Sequence, residues 1–278
     1  MKTRAITGFF FIIVMLGSVL LGQYVFVAFY LVLSAFCLHE FYTLVTQNTA
    51  KPDMTLGIIN GALLFAGVAL LILSDNMTLP VLLGYKASHS LLFLLPLTSA
   101  LVCIRQLYHK TPAPFDNIAY TYAGVVLVVV PFVFFHALAF IKGAYDFHFP
   151  LSFLILLWAN DTGAYLVGMK FGRTKLFERH SPKKTWEGFI GGIIISAGVA
   201  LILAHFYDEL PWNQWVSIAI IISCIGTLGD LVESMFKRSI DVKDSGSILP
   251  GHGGLLDRFD GLFLAAPIVY MYLYFMAS

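Results

Sequence analysis

The sequence predicts an all-α protein that crosses a membrane many times. Of its 278 residues, 59% are hydrophobic and only 12% are charged, and the mean hydropathy is +0.83. A soluble domain carries about 25% charged residues, so this chain has too little charge to cover a water-facing surface of its size. Apolar windows of about 20 residues, the length that crosses a bilayer as a helix, recur along the whole chain. Together these observations exclude a soluble globular domain, a disordered chain and a nucleic-acid-binding protein.

Reading the chain with that window predicts nine transmembrane helices. They lie at residues 5–22, 24–45, 54–74, 88–108, 117–141, 148–169, 187–206, 214–230 and 260–277. The first two abut at Gly22-Gln23, so eight spans is the alternative count. No linker separates a second soluble domain, so residues 1–278 are predicted to form one transmembrane domain. Its N-terminal spans cover about 1–141, and its C-terminal half covers about 148–278.

The distribution of lysine and arginine gives these spans an orientation. With a cytoplasmic N-terminus, 15 of the 17 basic residues fall in cytoplasmic segments, and only Lys86 and Lys142 fall outside. Cytoplasmic loops of membrane proteins carry such an excess. A count of eight spans would invert the later loops and remove this asymmetry. The nine-span model is therefore preferred. Two of its cytoplasmic segments are long, 170–187 and 231–259, and the water-facing chemistry is expected there.

Polar side chains follow one face of the helix that continues the eighth span. At 100° per residue, four polar positions fall within about 100° of one another, with apolar residues opposite. These positions are Asp230, Glu233, Ser234 and Lys237. Asp257 and Asp260, spaced i,i+3, share one face as the ninth span begins. A solvated amphipathic helix would give the same stripe, so the stripe alone does not decide between the two interpretations.

The glycine-rich stretch between these two helix ends is a further indication of a phosphate site. Carboxylate oxygens with basic neighbours are what a Mg²⁺–polyphosphate site requires. Gly251, Gly253 and Gly254 allow the backbone to approach a phosphate closely. His252 between them is interpreted equally well as a loop-packing residue or as a phosphate donor.

The segment from Ser234 to Asp260 resembles the signature of the phosphatidate cytidylyltransferase (CDP-diacylglycerol synthase) family. The matching positions are Ser234-x-Phe236-Lys237-Arg238, then Lys243-Asp244, then Leu249-Pro250-x-His252-Gly253-Gly254-Leu255-x-Asp257-Arg258-Phe259-Asp260. The resemblance extends to residues 158–165 and 181–188, and so covers most of the C-terminal half. The N-terminal half is matched only in hydropathy.

Two further motifs are interpreted from their chemistry. Asp161 sits within the sixth predicted span, where a charge costs several kcal/mol unless it faces a cavity or a partner. A purely structural hydrogen bond is the alternative explanation for it. In the first long loop, Ser181, Lys183 and Lys184 place hydroxyl and ammonium donors just before a span, where they are suited to hold a nucleotide or lipid phosphate. The pair His39-Glu40 near the end of the second span is open to a functional role, but an interfacial or interhelical pair is the preferred interpretation.

The resemblance implies a nucleotidyltransferase of phospholipid biosynthesis that converts CTP and phosphatidate into CDP-diacylglycerol and pyrophosphate. Asp230 and Asp257 are then expected to bind Mg²⁺, with Asp260 or Asp161 in support, and the family is associated with a monovalent ion such as K⁺. The expected catalytic residues are Asp230, Asp257, Lys237, Arg238, Lys243 and Asp260. The expected substrate-binding residues are Ser181, Lys183, Lys184, Ser234, His252, Gly253, Gly254, Arg258 and Asp161. The resemblance also implies a homodimer in a bacterial inner membrane, with the active site facing the cytoplasm.

Two other functions remain open at this point. A CTP-dependent kinase of a polyprenol or other lipid alcohol would also need Mg²⁺ and a bilayer acceptor, but it would release CDP instead of pyrophosphate. A secondary transporter would use intramembrane Asp161 as an ion-coupling site. The sequence has no GxxxxGK[ST] motif, so an ATP-driven P-loop enzyme is not expected. Three cysteines far apart predict neither a disulfide framework nor a zinc site.

Overall fold

A computed structural model describes residues 2–75, 81–246 and 253–277 of the chain, and these are overwhelmingly helical. The prediction of an all-α membrane protein is confirmed. The elements are α1 (Lys2–Leu20), α2 (Gln23–Asn48), α3 (Met54–Asp75), α4 (Val81–Tyr108), α5 (Pro114–Gly124), a π-helical turn (Val125–Val129), α6 (Val130–Leu138), α7 (His148–Phe171), β1 (Lys175–Phe177), β2 (Ser181–Thr185), α8 (Trp186–Phe206), α9 (Trp212–Ser239) and α10 (Leu256–Ala277).

Among the described residues, eight helical stretches are long and apolar enough to cross a membrane. One of them, Pro114–Leu138, joins α5 and α6 through the π-helical turn. The apolar part of α1, Thr7–Leu20, is shorter than these eight. The count of nine spans and the cytoplasmic N-terminus therefore stay predictions. Helix α9 continues to Ser239, which confirms that the polar stripe continues the eighth predicted span as a helix.

The chain forms two compact units. The first unit comprises Met1–Asp146 and Ile240–Leu256, and the second comprises Phe147–Ser239 and Asp257–Ser278. The prediction that residues 1–278 make a single transmembrane domain stays a prediction.

Aromatic packing forms the core of the first unit. Phe26, Tyr30 and Phe135 are fully buried, and their ring centroids lie 4.7 Å (Phe26–Tyr30) and 4.9 Å (Tyr30–Phe135) apart. Rings at such distances stabilise a core beyond the apolar area that they bury. At another point the Arg105 guanidinium binds both carboxylate oxygens of Asp53, at 3.0 and 2.9 Å. This pair joins α4 to the segment that begins α3.

In the second unit, small residues let α7 and α8 approach closely. A Cβ atom added at Gly191 would lie 2.6 Å from the Val167 side chain, and one added at Gly163 would lie 2.9 Å from Ile195. Helices in membranes pack through such small residues because lipid offers no hydrophobic drive between them. The close approach brings the middle of α7, which carries Asp161, beside α8.

A short antiparallel hairpin of β1 and β2 connects these two helices. It was not predicted. The Trp186 amide donates to the carbonyl of Thr174 at 2.9 Å, which holds the hairpin against the start of α8. The Thr185 hydroxyl accepts from the Gly188 amide at 3.2 Å and so caps α8. The carboxylate of Glu187 accepts from the amides that precede β1. These contacts fix the positions of the basic residues on β2.

Two glycines of α8 provide a matched test of this packing. Changing Gly191→Ala is expected to lower the melting temperature in detergent, because the new methyl group must displace Val167 at a cost of about 1–3 kcal/mol. Changing Gly198→Ala is the control, since no atom lies within 4 Å of a Cβ there. Alanine is favoured over glycine in a helix by about 1 kcal/mol, so this variant should be as stable as the parent or more so. Equal melting temperatures for the two variants would contradict the close packing of α7 and α8.

Candidate active site

A cavity of about 440 Å³ lies in the second unit, bordered by α7, α8, α9 and the hairpin. Its lining joins charged and polar groups to an apolar wall. The lining residues are Asn160, Asp161, Ala164, Tyr165, Gly168, Met169, Leu176, Lys183, Lys184, Thr185, Gly188, Phe189, Thr227 and Asp230. A cavity that combines polar groups with an apolar wall is suited to a ligand that is itself part polar and part apolar.

At this cavity the first long loop meets the polar stripe of α9. The Lys184 ammonium, on β2, lies 2.6 Å from Oδ2 of Asp230 on α9. The Ser234 hydroxyl, one helical turn further along α9, donates to Oδ1 of the same carboxylate at 3.3 Å. Three residues predicted to serve the site are thus in direct contact, although all of α8 and about two thirds of α9 lie between Lys184 and Asp230 in the chain.

A second ionic cluster lies further along α9, and we call it the lysine triad: Glu233, Lys237 and Asp257. The Lys237 ammonium lies 2.6 Å from Oε2 of Glu233 and 2.6 Å from Oδ1 of Asp257 on α10. The three side chains are only 6%, 12% and 10% exposed, respectively. Buried charges persist in proteins when they are paired in this way. The triad joins α9 to α10 and places the predicted metal ligand Asp257 beside the predicted catalytic lysine.

Acidic side chains from three helices converge in this region. Asp161 on α7, Asp230 and Glu233 on α9, and Asp260 on α10 are close enough to interact electrostatically. Packing explains how α9 and α10 come together, because a side chain at Gly229 would collide with the backbone carbonyl of Asp260.

Cations in the same region offset only part of this negative charge. Lys184 and the guanidinium of Arg258 lie within electrostatic range of Asp161. With Lys237, and with Lys183 at the cavity, they make four cations, against five carboxyl groups when Asp257 is counted with the four acidic side chains above. An excess of carboxylate oxygens is the donor set that a hard divalent cation takes. The residues present therefore fit the predicted Mg²⁺.

Not every predicted site residue lies at the cavity. Ser181 and Lys183 are on β2 and Lys183 lines the cavity, whereas Arg238 is exposed in the last turn of α9. Lys243, Gly253 and Gly254 belong to the first unit, where Lys243 is exposed and Gly254 is buried. Gly253 has a φ of +83°, which glycine adopts more readily than other residues. His252 lies outside the described residues.

Most of the residues that line the cavity were not among the predicted site residues, and the polar residues Asn160 and Thr227 are two examples. Asn160 is 2% exposed, and its Oδ1 has no hydrogen-bond partner among the described residues, while its Nδ2 donates to Asp161 at 3.5 Å. Thr227 lines the cavity one helical turn before Asp230. Helical spacing from Asp230 would have identified Thr227. The signal for Asn160 was its place in the segment 158–165, to which the family resemblance extends.

Comparison with known proteins identifies relatives over almost the whole chain. The model of the cytidylyltransferase family matches residues 2–276. A phosphatidate cytidylyltransferase of Staphylococcus haemolyticus (strain JCSC1435) is 35% identical over 271 residues, which cover 97% of each chain. The protein of the same name from Staphylococcus aureus (strain COL) is 36% identical over 271 residues, again with 97% of each chain covered. The match includes the N-terminal half, which the sequence analysis had related to the family only through its hydropathy.

Proposed function

Because the chain belongs to the cytidylyltransferase family, we propose that it acts as a phosphatidate cytidylyltransferase, a nucleotidyltransferase that makes CDP-diacylglycerol and pyrophosphate from CTP and phosphatidate. The observation that carries this proposal is the contact of Lys184 with Asp230 at a cavity of the second unit. There, a lysine suited to bind phosphate meets a carboxylate suited to bind a metal ion, in a protein with many helices long and apolar enough to cross a membrane. A transporter or a lipid-alcohol kinase is not favoured.

The chemistry of this reaction suits the residues at the site. The phosphate of phosphatidate is already an anionic nucleophile, so the reaction needs no strong general base. The main obstacle is the repulsion between the lipid phosphate and the triphosphate. Lys183 and Lys184 border the cavity, where their charge would neutralise phosphate oxygens and align the attack on the α-phosphorus. The apolar wall formed by Tyr165, Met169 and Phe189 would accommodate less polar parts of the substrates.

We assign the divalent metal to Asp230 and Asp257, with Asp260 or Asp161 in support. These residues lie on three helices of the second unit, where carboxyl groups outnumber the neighbouring cations. When bound, Mg²⁺ would supply charge neutralisation for the phosphates and for the departing pyrophosphate. A monovalent ion such as K⁺ remains a prediction from the family resemblance.

We further propose that the protein is a homodimer in a bacterial inner membrane, with the cavity open to the cytoplasm. The excess of basic residues in the segments that contain Lys183 and Lys184 supports this orientation. A cysteine placed at exposed Glu178, on the turn of the hairpin, tests it in a background without native cysteines. An impermeant thiol reagent should label this cysteine in inside-out vesicles and not in intact cells. Labelling in intact cells would reverse the proposed orientation.

Product analysis tests the proposed activity. Purified protein in detergent should convert CTP and phosphatidate in the presence of Mg²⁺ into pyrophosphate and CDP-diacylglycerol in equal amounts. ATP in place of CTP, and a lipid alcohol in place of phosphatidate, should give no product. Release of CDP with a phosphorylated lipid alcohol would instead establish the kinase.

The contact between β2 and α9 leads to a kinetic prediction. Changing Lys184→Ala should raise the KM for CTP or for phosphatidate, because a phosphate-binding cation is lost from the cavity. Changing Lys175→Ala, on the neighbouring strand and outside the cavity lining, is the matched control and should leave both KM values unchanged. Steady-state kinetics with each substrate varied in turn measures the effect. Unchanged KM and kcat in the Lys184 variant would show that Lys184 on β2 contributes neither to substrate binding nor to turnover.

A further inference from the structure

Glu40 on α2 makes contacts that its sequence neighbourhood did not suggest. It is only 4% exposed in the first unit, and its Oε2 accepts hydrogen bonds from the Ser245 hydroxyl at 3.2 Å and from the Leu256 amide at 2.7 Å. These partners are 205 and 216 residues away in the chain. The interpretation of Glu40 as half of an interfacial or interhelical pair with His39 does not account for them.

The loop segment, which comprises the described residues 240–246 and 253–256, lies around this carboxyl group. A Cβ atom added at Gly246 would collide with Glu40, and the three atoms nearest to it all belong to the Glu40 side chain. A Cβ atom at Gly254 would collide with the same carboxyl group and with the Ser245 hydroxyl. Only residues without a side chain allow the backbone to pass this close. The loop segment therefore contacts Glu40 at two places, at 245–246 and again at 254–256.

Burial of the Glu40 carboxyl group has an energetic cost, which its hydrogen bonds to the loop segment offset. Burying a carboxyl group is costly unless hydrogen bonds compensate for the lost water, and a hydrophobic residue at position 40 would avoid that cost. The bonds that Glu40 accepts satisfy one hydroxyl and one amide of the loop segment. Leu256 is the first residue of α10, and the first amides of a helix have no partner within the helix. A carboxyl group at this point also interacts favourably with the helix dipole.

We infer that Glu40 is a positioning residue of the cytidylyl-transfer site, and this inference rests on the proposed function. By holding Ser245, Gly246, Gly254 and Leu256, it fixes the loop segment and the residue at which α10 begins. Because Asp257 and Arg258 follow Leu256 directly in the chain, the fixed backbone of Leu256 constrains where these two residues begin. Glu40 contacts no substrate in this role and acts through the loop segment.

Variants of Glu40 test the inference with two independent readouts. Glu40→Ala is expected to lower kcat by about 10- to 100-fold, since small misplacements of reacting groups have effects of that size, while KM for CTP stays near the parental value. Hydrogen–deuterium exchange of peptides covering 240–256 should accelerate in the full-length protein. Glu40→Gln keeps an acceptor oxygen at the same reach and should recover most of both properties. A Glu40→Ala variant with parental kcat or parental exchange in this segment would overturn the inference.

A control variant separates positioning from general destabilisation. Asn60 is buried on α3 in the same unit and accepts a hydrogen bond from the Thr98 hydroxyl at 2.7 Å. Asn60→Ala should lower the melting temperature but leave kcat and the exchange of residues 240–256 unchanged. If it changes both as Glu40→Ala does, the effect of Glu40 is general and the inference fails.

A double-mutant cycle tests whether Glu40 acts through the loop segment, and its Gly246→Ala arm tests the same contact if Glu40→Ala does not fold. Gly246→Ala by itself should lower kcat and accelerate exchange, because its methyl group collides with Glu40. Combined with Glu40→Ala, the methyl group meets no obstacle, so the double variant should be no worse than Glu40→Ala. Multiplied losses would show independent effects and overturn the inference. If the parent protein makes no CDP-diacylglycerol, the proposed function fails, while the exchange data still decide whether Glu40 holds the loop segment.

Discussion

Changing Asp230→Asn should abolish turnover and leave the protein folded in the membrane. Asparagine keeps the shape of aspartate and an oxygen that can accept from the Ser234 hydroxyl, but it carries no charge to pair with Lys184. It is also a poor ligand for a hard divalent ion. If Asp230 holds the metal, kcat should fall by about 100-fold or more. The measurement is CDP-diacylglycerol formation by purified protein at saturating CTP and phosphatidate.

Two further measurements show whether such a loss is specific. Asp116→Asn makes the same chemical change at an exposed position near the start of α5 and should retain parental activity. Size-exclusion chromatography in detergent should give the same elution profile for both variants and the parent. Substantial activity of the Asp230 variant at ordinary Mg²⁺ concentrations would remove this residue from the metal site.

The features that the sequence predicted best are those set by local periodicity. The hydrophobic windows gave the membrane spans within a few residues for most helices, and the 100° projection placed Asp230, Ser234 and Lys237 on one face of α9. That face does carry the contacts to Lys184 and Asp257. Helical periodicity is a property of neighbouring residues, so one sequence is enough to show it.

The features that the sequence missed depend on contacts between distant segments. The hairpin has strands of three and five residues, too short for a reliable alternating pattern, and five of these eight residues are charged or polar. Glu40 looked like an ordinary polar residue near a span end, because its partners are more than 200 residues away. Only the folded chain shows that Gly246 and Gly254 accommodate this carboxyl group.

The lysine triad gives the prediction with the largest expected effect on stability. Lys237 is the shared cation of Glu233 and Asp257, and all three side chains are mostly buried. Changing Lys237→Met keeps the apolar stem but leaves two acidic side chains without their cation. Removing one partner of a buried ion pair costs about 3–5 kcal/mol. The melting temperature in detergent should fall sharply and activity should be lost, whereas Lys175→Met on the exposed hairpin should change neither.

A compensating substitution separates the structural part of this effect from the catalytic part. In the double variant Lys237→Met with Glu233→Gln, one acidic charge is removed together with the base, so the charge of the triad equals that of the parent. Most of the lost stability should return, because Asp257 then faces a neutral amide that can donate a hydrogen bond to it. Activity should stay low, since the lysine predicted to be catalytic is still missing. If the double variant were as unstable as Lys237→Met, the three charges would not act as one buried unit. If it regained full turnover, Lys237 would serve the fold alone.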